Sequence, residues 1–185
     1  LSMSYDIGLT ENNYYQTEQF SASDTADATN FEAQSIGVNY KQSTLNRKMY
    51  ATEGGLVHLQ ANYIFGKENT LPGSTSSLVS PAENIDHTWY LFKGRMEQYF
   101  KLSKHIKLGG ELEGVLLVMD NFLDNYTATM IQAPSYYPTL ESKTFFISEH
   151  AAHDYIAGGM KAIFSIRPSL DLRVEGFVFQ PYTEI

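Results

Sequence analysis

The sequence has no cysteine, which removes disulfides, thiolate nucleophiles and cysteine-based zinc sites together and leaves the redox compartment open. Positive charge is scarce as well: 13 Lys and Arg stand against 21 Asp and Glu, for a net charge of −8. A nucleic-acid surface normally shows a cationic excess, so nucleic acid is not an expected partner. No run approaches the roughly 18 consecutive apolar residues that a membrane-spanning helix needs, and mean hydropathy is −0.28. Strands that cross a membrane ask for less, about 10 residues with every second one apolar, and such a chain looks hydrophilic on average. The opening LSMSYDIGLT has no basic segment followed by an apolar block, so it reads as a mature or trimmed chain starting inside a strand rather than as a signal peptide.

What is present is alternation, and there are 185 residues of chain, enough for a single all-β domain. Leu1, Met3, Tyr5, Ile7 and Leu9 alternate with Ser2, Ser4, Asp6, Gly8 and Thr10. Ile36, Val38 and Tyr40 mark a second strand. Val57, Leu59, Ala61, Tyr63 and Phe65 mark a third, with Met49 and Tyr50 in the other parity and a bulge expected at Gly54 and Gly55. A fourth, about 88 to 100, sets Tyr90, Phe92, Met96 and Phe100 against Lys93, Arg95 and Glu97. A fifth, about 105 to 119, sets Ile106, Leu108, Leu112, Leu116 and Val118 against Lys107, Glu111 and Glu113. The last two flank Arg167-Pro168-Ser169, with Ile156, Met160, Ala162, Phe164 and Ile166 before the turn and Leu170, Leu172, Val174 and Val178 after it. Alternation makes the expected fold class all-β, an antiparallel meander; the loop lengths and the aromatics extend that expectation to part of a transmembrane outer-membrane barrel.

Connections are expected to be short around 41–47, 101–105 and 167–169 and long around 11–30, 67–87 and 120–154, so the short turns share one end and the long loops the other. A turn centred near Ser103 would set Arg95 opposite Glu111, Lys93 opposite Glu113, Phe92 opposite Gly114 and Tyr90 opposite Leu116. One centred near Pro168 sets Lys161 opposite Glu175, Phe164 opposite Leu172 and Met160 opposite Gly176. In both hairpins charges meet charges and apolar groups meet apolar groups.

Alternation alone does not separate a soluble barrel, apolar inside, from a membrane barrel, apolar outside. Aromatics make up 14 % of the chain, with 13 Tyr against one Trp, and they gather near strand ends: Tyr14, Tyr15, Tyr40, Tyr63, Phe65, Trp89, Tyr90, Tyr99, Phe100, Tyr155, Phe179 and Tyr182. Interfacial girdles would need aromatics there, which favours lipid. The lipid-facing set expected is Tyr90, Phe92, Leu112, Leu116, Ile156, Phe164, Leu172 and Val174. The lumen-facing set is Lys93, Arg95, Glu97, Glu111, Glu113, Lys161, Arg173 and Glu175. Seven strands are an odd number, so either an eighth is hidden at 143–148 (KTFFIS) or, the preferred expectation, residues 1–185 are one barrel domain belonging to a larger barrel.

The segment 125–182 resembles the carboxy-terminal region of bacterial patatin-like phospholipases, whose lipase domain precedes a surface-antigen (Omp85-like) barrel. The likeness is carried by Asn125-Tyr126-Thr127-Ala128-Thr129, Ala133-Pro134, Ser142-Lys143-Thr144, Tyr155 to Gly159, Leu172 to Gly176 and Gln180-Pro181-Tyr182. The resemblance implies an outer-membrane domain of a Gram-negative bacterium that anchors a covalently linked lipid acyl hydrolase. The family's serine and aspartate dyad has no counterpart, since the chain lacks both Gly-x-Ser-x-Gly and Asp-Gly, and the Arg-Gly-Phe loop signature is absent. No catalytic residue, cofactor or metal is assigned to this chain. The partners expected are outer-membrane lipid, the linked hydrolase and, as an option, a second copy of the chain.

Other constellations read as structural. Glu149, His150, His153 and Asp154 match no zinc-protease spacing and are expected to pack or plug the lumen. His58, His87 and His105 stand alone, and Ser74 to Ser77 beside Pro72 and Gly73 read as turns. The glycine pairs 54–55, 109–110 and 158–159 are expected to relieve curvature or admit a large neighbour. Two alternatives stay open, a small outer-membrane channel or structural barrel and a soluble lipocalin-like barrel.

Overall fold

The computed structural model describes residues 1–76, 83–119, 129, 133–145, 147–167 and 170–183. Seven strands form one antiparallel sheet in chain order. They are β1 (Ser2–Tyr14), β2 (Asp27–Ser43), β3 (Gly55–Leu71), β4 (Glu83–Lys101), β5 (Ile106–Val118), β6 (Asp154–Arg167) and β7 (Leu170–Thr183). The sheet is not closed: β1 and β7 are its two edges. On β2 to β7 residues of one parity are the more covered, with the connections folding across that side, and residues of the other parity lie bare; β1 is exposed over most of both parities. The all-β meander expected from alternation is the observed fold.

The β6–β7 pairing sets Lys161 opposite Glu175, Phe164 opposite Leu172 and Met160 opposite Gly176, as the turn at Pro168 implies. Positions 168 and 169 themselves lie outside the described residues. The β4–β5 register differs by two residues from the one expected: Arg95 faces Glu113, Lys93 faces Val115, Phe92 faces Leu116 and Tyr90 faces Val118. The turn is centred one residue later because the Ser103 hydroxyl accepts the amides of His105 and Ile106, which pulls the loop toward β5. A two-residue slip keeps every side chain on its face.

The β2–β3 connection, 44–54, is longer than the turn expected at 41–47. Met49 and Tyr50 belong to it rather than to a strand, and Tyr50 has φ 50°. The Asn46 carboxamide oxygen accepts the amides of Thr52 and Glu53 and folds the connection inward. Gly54 enters β3 at φ 88°, where a Cβ would lie 2.1 Å from the Thr44 carbonyl oxygen, so its role is a left-handed entry and not a bulge. The irregularities of the sheet lie at Asp154/Tyr155 and Ser165/Arg167.

The β5–β6 connection is the longest. It has no strand at 143–148: Glu141–Thr144 and Ser148–His150 are 3-10 turns, and Phe146 lies outside the described residues. Two parts of it are tied to each other by a bridge between Ser135 and Ala151, the latter just ahead of β6. Its tip reaches the opposite end, where the Tyr50 hydroxyl donates to Glu141. This segment therefore runs the length of the covered face.

The glycines accommodate rings, as expected of one pair member in two cases. A Cβ on Gly109 would lie 2.5 Å from Tyr99 Cε1, and one on Gly159 would lie 2.4 Å from Phe177 Cδ1, whereas Gly110 has open space. Gly109→Ala is expected to displace the Tyr99 ring and cost about 1 to 3 kcal/mol, an overpacking penalty. Gly110→Ala is expected to stay within about 0.5 kcal/mol. Thermal unfolding of both variants in the full-length protein checks the pair.

Candidate functional site

Every expected lumen residue lies on the covered face, where the strands bring them into one ionic cluster. Lys161, 6 % exposed, donates from Nζ to Glu111 Oε2 at 2.7 Å and to Glu97 Oε1 at 3.1 Å. Arg95 Nη2 reaches the same Glu111 oxygen at 3.3 Å, and Lys93 pairs with Glu113 at 2.8 Å. Arg173 donates from Nε to Glu175 and from Nη2 to the Tyr99 hydroxyl at 3.0 Å, which in turn donates to Glu97 at 2.5 Å. Four cations thus meet the four carboxylates Glu97, Glu111, Glu113 and Glu175, and the cluster is neutral as a set. An unpaired buried charge costs several kcal/mol, so this pairing is what lets the face be covered at all.

Two tyrosines that pattern reading did not single out as donors complete the acceptors. Tyr136, from the β5–β6 connection, donates to Glu111 Oε1 at 2.7 Å, and Tyr155 donates to Glu113 Oε1 at 2.7 Å. Burial and the Glu111 carboxylate both hold the Tyr136 phenol well above its ordinary pKa, so it stays a donor. Tyr136 also stacks on Phe179, ring centroids 6.2 Å apart at 11°. No sequence periodicity marks a loop residue of this kind. Arg173 fixes the other connection, donating from Nη1 to the Ala51 carbonyl at 2.9 Å.

Toward the long loops the covered face carries a second polar chain. Glu68 Oε2 lies 2.7 Å from His87 Nε2, Thr70 donates to Glu68 Oε1 at 2.6 Å, and the Thr29 hydroxyl links Thr70 to Tyr14. Above it pack Phe31 and Trp89, stacked at 4.6 Å. His87 is therefore not an isolated strand histidine. It pairs with Glu68 on the adjacent strand, two positions along β3 from Gly66, the residue directly opposite it.

The group Glu149, His150, His153 and Asp154 does not converge. Glu149 is exposed, the His150 ring packs on Tyr136 and Phe179, His153 is buried, and Asp154 accepts the Leu117 amide at 2.9 Å. Among the described residues no cluster of metal-ligating groups is present.

The bare face is the other half of the site. Tyr90, Phe92, Leu112, Leu116, Ile156, Phe164, Leu172 and Val174 all lie on it, each more than a third exposed. Register rows show how it ends. Tyr5, Ile36, Tyr63, Tyr90 and Val118 stand in one row across five strands. Two rows further toward the long loops, Glu32, Lys67 and Asp86 stand together, with Lys67 and Asp86 3.9 Å apart. Aromatic residues thus border an apolar band where it meets charge. The aromatics expected at strand ends divide by parity: Tyr40, Tyr63, Phe65, Tyr90, Phe100 and Tyr182 belong to the bare face. Tyr14, Trp89, Tyr99, Tyr155 and Phe179 point to the covered face, because adjacent strand residues face opposite ways. No protein-family model, curated protein or solved structure matches the chain.

Two predictions follow from the covered face. Glu111→Gln removes the nearer carboxylate from Lys161 and is expected to cost about 3 kcal/mol, while Glu111→Gln with Lys161→Met recovers part of it, since the single change leaves the buried cluster with one uncompensated positive charge and the double change leaves it neutral. Denaturant unfolding of the two variants measures the difference. Burial holds His153 neutral below its ordinary value of 6.5, against a smaller opposing effect of Asp154. Below pH 6.5 the unfolded chain binds a proton that the folded chain refuses, so stability of this segment falls with acidification and is full above that value. Hydrogen exchange at 147–153 should quicken as pH drops from about 7.5 to about 5.5 relative to its intrinsic rate, and His153→Gln should flatten that dependence.

Proposed function

We propose that the chain is part of an outer-membrane β-barrel whose bare face meets lipid hydrocarbon and which anchors a patatin-like lipid acyl hydrolase. The observation that carries the membrane reading is the inverted arrangement of the sheet: large apolar side chains are exposed, and the ion pairs around Lys161 are buried. Leu172 and Val174 are 53 % and 56 % exposed while Glu111 and Lys161 are 8 % and 6 %. A soluble barrel, the lipocalin-like alternative, has the opposite sense, since apolar surface leaves water at about 25 cal/mol per Å². The size of the band agrees. Tyr90 to Phe100 on β4 is ten residue steps, roughly 34 Å at the strand rise. At the roughly 40° tilt of membrane barrels this is about 25 Å of depth, the height of their apolar band.

The odd strand count supports a larger barrel. In a seven-stranded meander β1 and β7 run parallel, so closing them on each other would make a parallel seam. A second copy turned about the barrel axis presents the same parallel edges. An all-antiparallel barrel therefore needs an odd number of further strands between β7 and β1. The small-channel alternative has less support, because Tyr136 and the segment up to Glu141 occupy the covered face. The linked hydrolase rests on the resemblance of 125–182 alone, and no residue of this chain is assigned to its chemistry.

Single nitroxide labels at Phe164, Leu172, Lys161 and Glu175 in the full-length protein, reconstituted in bilayers, test the membrane reading. High oxygen access at Phe164 and Leu172 is the expected result. Shielding of both from oxygen and from a water-soluble nickel reagent would place the bare face in a protein core and overturn it.

A further inference from the structure

The cations of the chain are distributed unevenly along its long axis. Of 13 Lys and Arg, Lys67 alone lies toward the long loops, and Lys93, Arg95, Lys161 and Arg173 belong to the neutral ionic cluster. The other eight gather at the turn end, in a protein whose net charge is −8. Half of these surround one cavity of about 650 Å³, enclosed by the β2–β3 connection, the covered face and the tip of the β5–β6 connection.

Lys41 comes from the end of β2, Arg47 and Lys48 from the inward-folded connection, and Lys143 from the far loop. All four are exposed, and none has an ionic partner among the described residues. Of the carboxylates on the wall, Glu97 and Glu175 already serve Lys161 and Arg173, and Glu141 accepts from Tyr50. The cavity therefore keeps a cationic excess that its own side chains do not neutralise. These four groups are far apart in sequence, and the contact that brings Lys143 to the others is the Tyr50 to Glu141 hydrogen bond. The remaining wall mixes apolar Leu45, Ala51, Leu56, Pro138 and Leu140 with polar Ser43, His58 and Thr139 and with Tyr50, Tyr99 and Tyr137.

We propose that this cavity binds a phosphate-bearing anion. One guanidinium and three ammonium groups converging on a concave wall are suited to a compact group with several acceptor oxygens. The concave wall concentrates their field in the cavity, and a volume of this size suits a small ligand. The same phosphate chemistry is carried by free inorganic phosphate and by the headgroup of a single-chain lipid, whose tail the Leu45, Leu56 and Leu140 wall would contact. The inference stands on the cavity and does not depend on the bare face meeting lipid.

Residue-resolved acetylation of lysines in the full-length protein, in neutral detergent at constant ionic strength, tests it. Bound ligand slows modification by 1 + [L]/Kd, about tenfold when ligand is at roughly nine times Kd. Inorganic phosphate and lysophosphatidic acid are the two probes, with lysophosphatidylcholine as the zwitterionic control. The expected result is protection of Lys41, Lys48 and Lys143 together, with Lys67 and Lys104 unchanged, and weaker protection in Arg47→Gln. Protection by inorganic phosphate assigns a soluble ligand; protection by lysophosphatidic acid alone, with none by lysophosphatidylcholine, assigns the lipid headgroup. No protection by either probe, or equal slowing at Lys67 and Lys104, overturns the site. The oxygen-access experiment reads the bare face independently, so failure of one result is not failure of the other.

Discussion

Lys161 is the group on which the covered face depends. Its ammonium is almost wholly enclosed, and it is held by Glu111 on the neighbouring strand and by Glu97 one strand further. A charge so placed has to be paired, and the pairing dictates what surrounds it. Glu111 has acceptor capacity left for Arg95 and for Tyr136, which docks the long connection. Glu97 has capacity left for Tyr99, which passes the chain of donors to Arg173 and through it to Ala51. Both connections that fold over the sheet are thus fastened to carboxylates of one cluster. That Arg173 on β7 reaches Tyr99 on β4 also requires the sheet to curl toward this side.

Apolar material packs at both ends of the polar centre. Tyr14, Phe31, Trp89 and Leu117 form a cluster near the long loops, and Ala51, Tyr99 and Ile163 form one near the turns. Between them Val115, Tyr136, Tyr155 and Ala157 pack with Phe177 and Phe179 beside the ions. Closing off water around the pairs raises their interaction but also the cost of any missing partner. The tyrosine hydroxyls reconcile the two demands: each ring contributes packing while its hydroxyl supplies the last donor to a glutamate.

Alternation made the strands, and which residues share a face, legible in the sequence, and the run of short and long connections made the meander order legible. Arg95 and Glu113 illustrate the limit. Their shared face follows from parity, but which residue opposes which depends on a turn centre that the Ser103 hydroxyl shifts by one position. The aromatics illustrate another. Trp89 and Tyr90 both sit in the same strand, and their position along it says nothing of side until parity is applied; Trp89 is buried and Tyr90 is bare. His87 read as isolated because Glu68 lies 19 positions away in sequence, and only the β3–β4 pairing brings the two within 2.7 Å. The segment 143–148, the candidate for an eighth strand, meets 3-10 turns at Glu141–Thr144 and Ser148–His150 instead.

What the sequence by itself determined is therefore the period: residues two apart share a side of an extended chain, so a run of apolar residues at one parity makes one apolar face wherever the strand is placed. The tertiary structure decided everything that depends on reach across strands and loops. Lys161 meets Glu97 across an intervening strand, and Tyr136 leaves its loop to meet Glu111, because side chains several ångströms long cross distances that local sequence does not encode. The cationic cavity has the same origin, since Lys41, Arg47, Lys48 and Lys143 share a wall only after two connections fold over the sheet and toward each other.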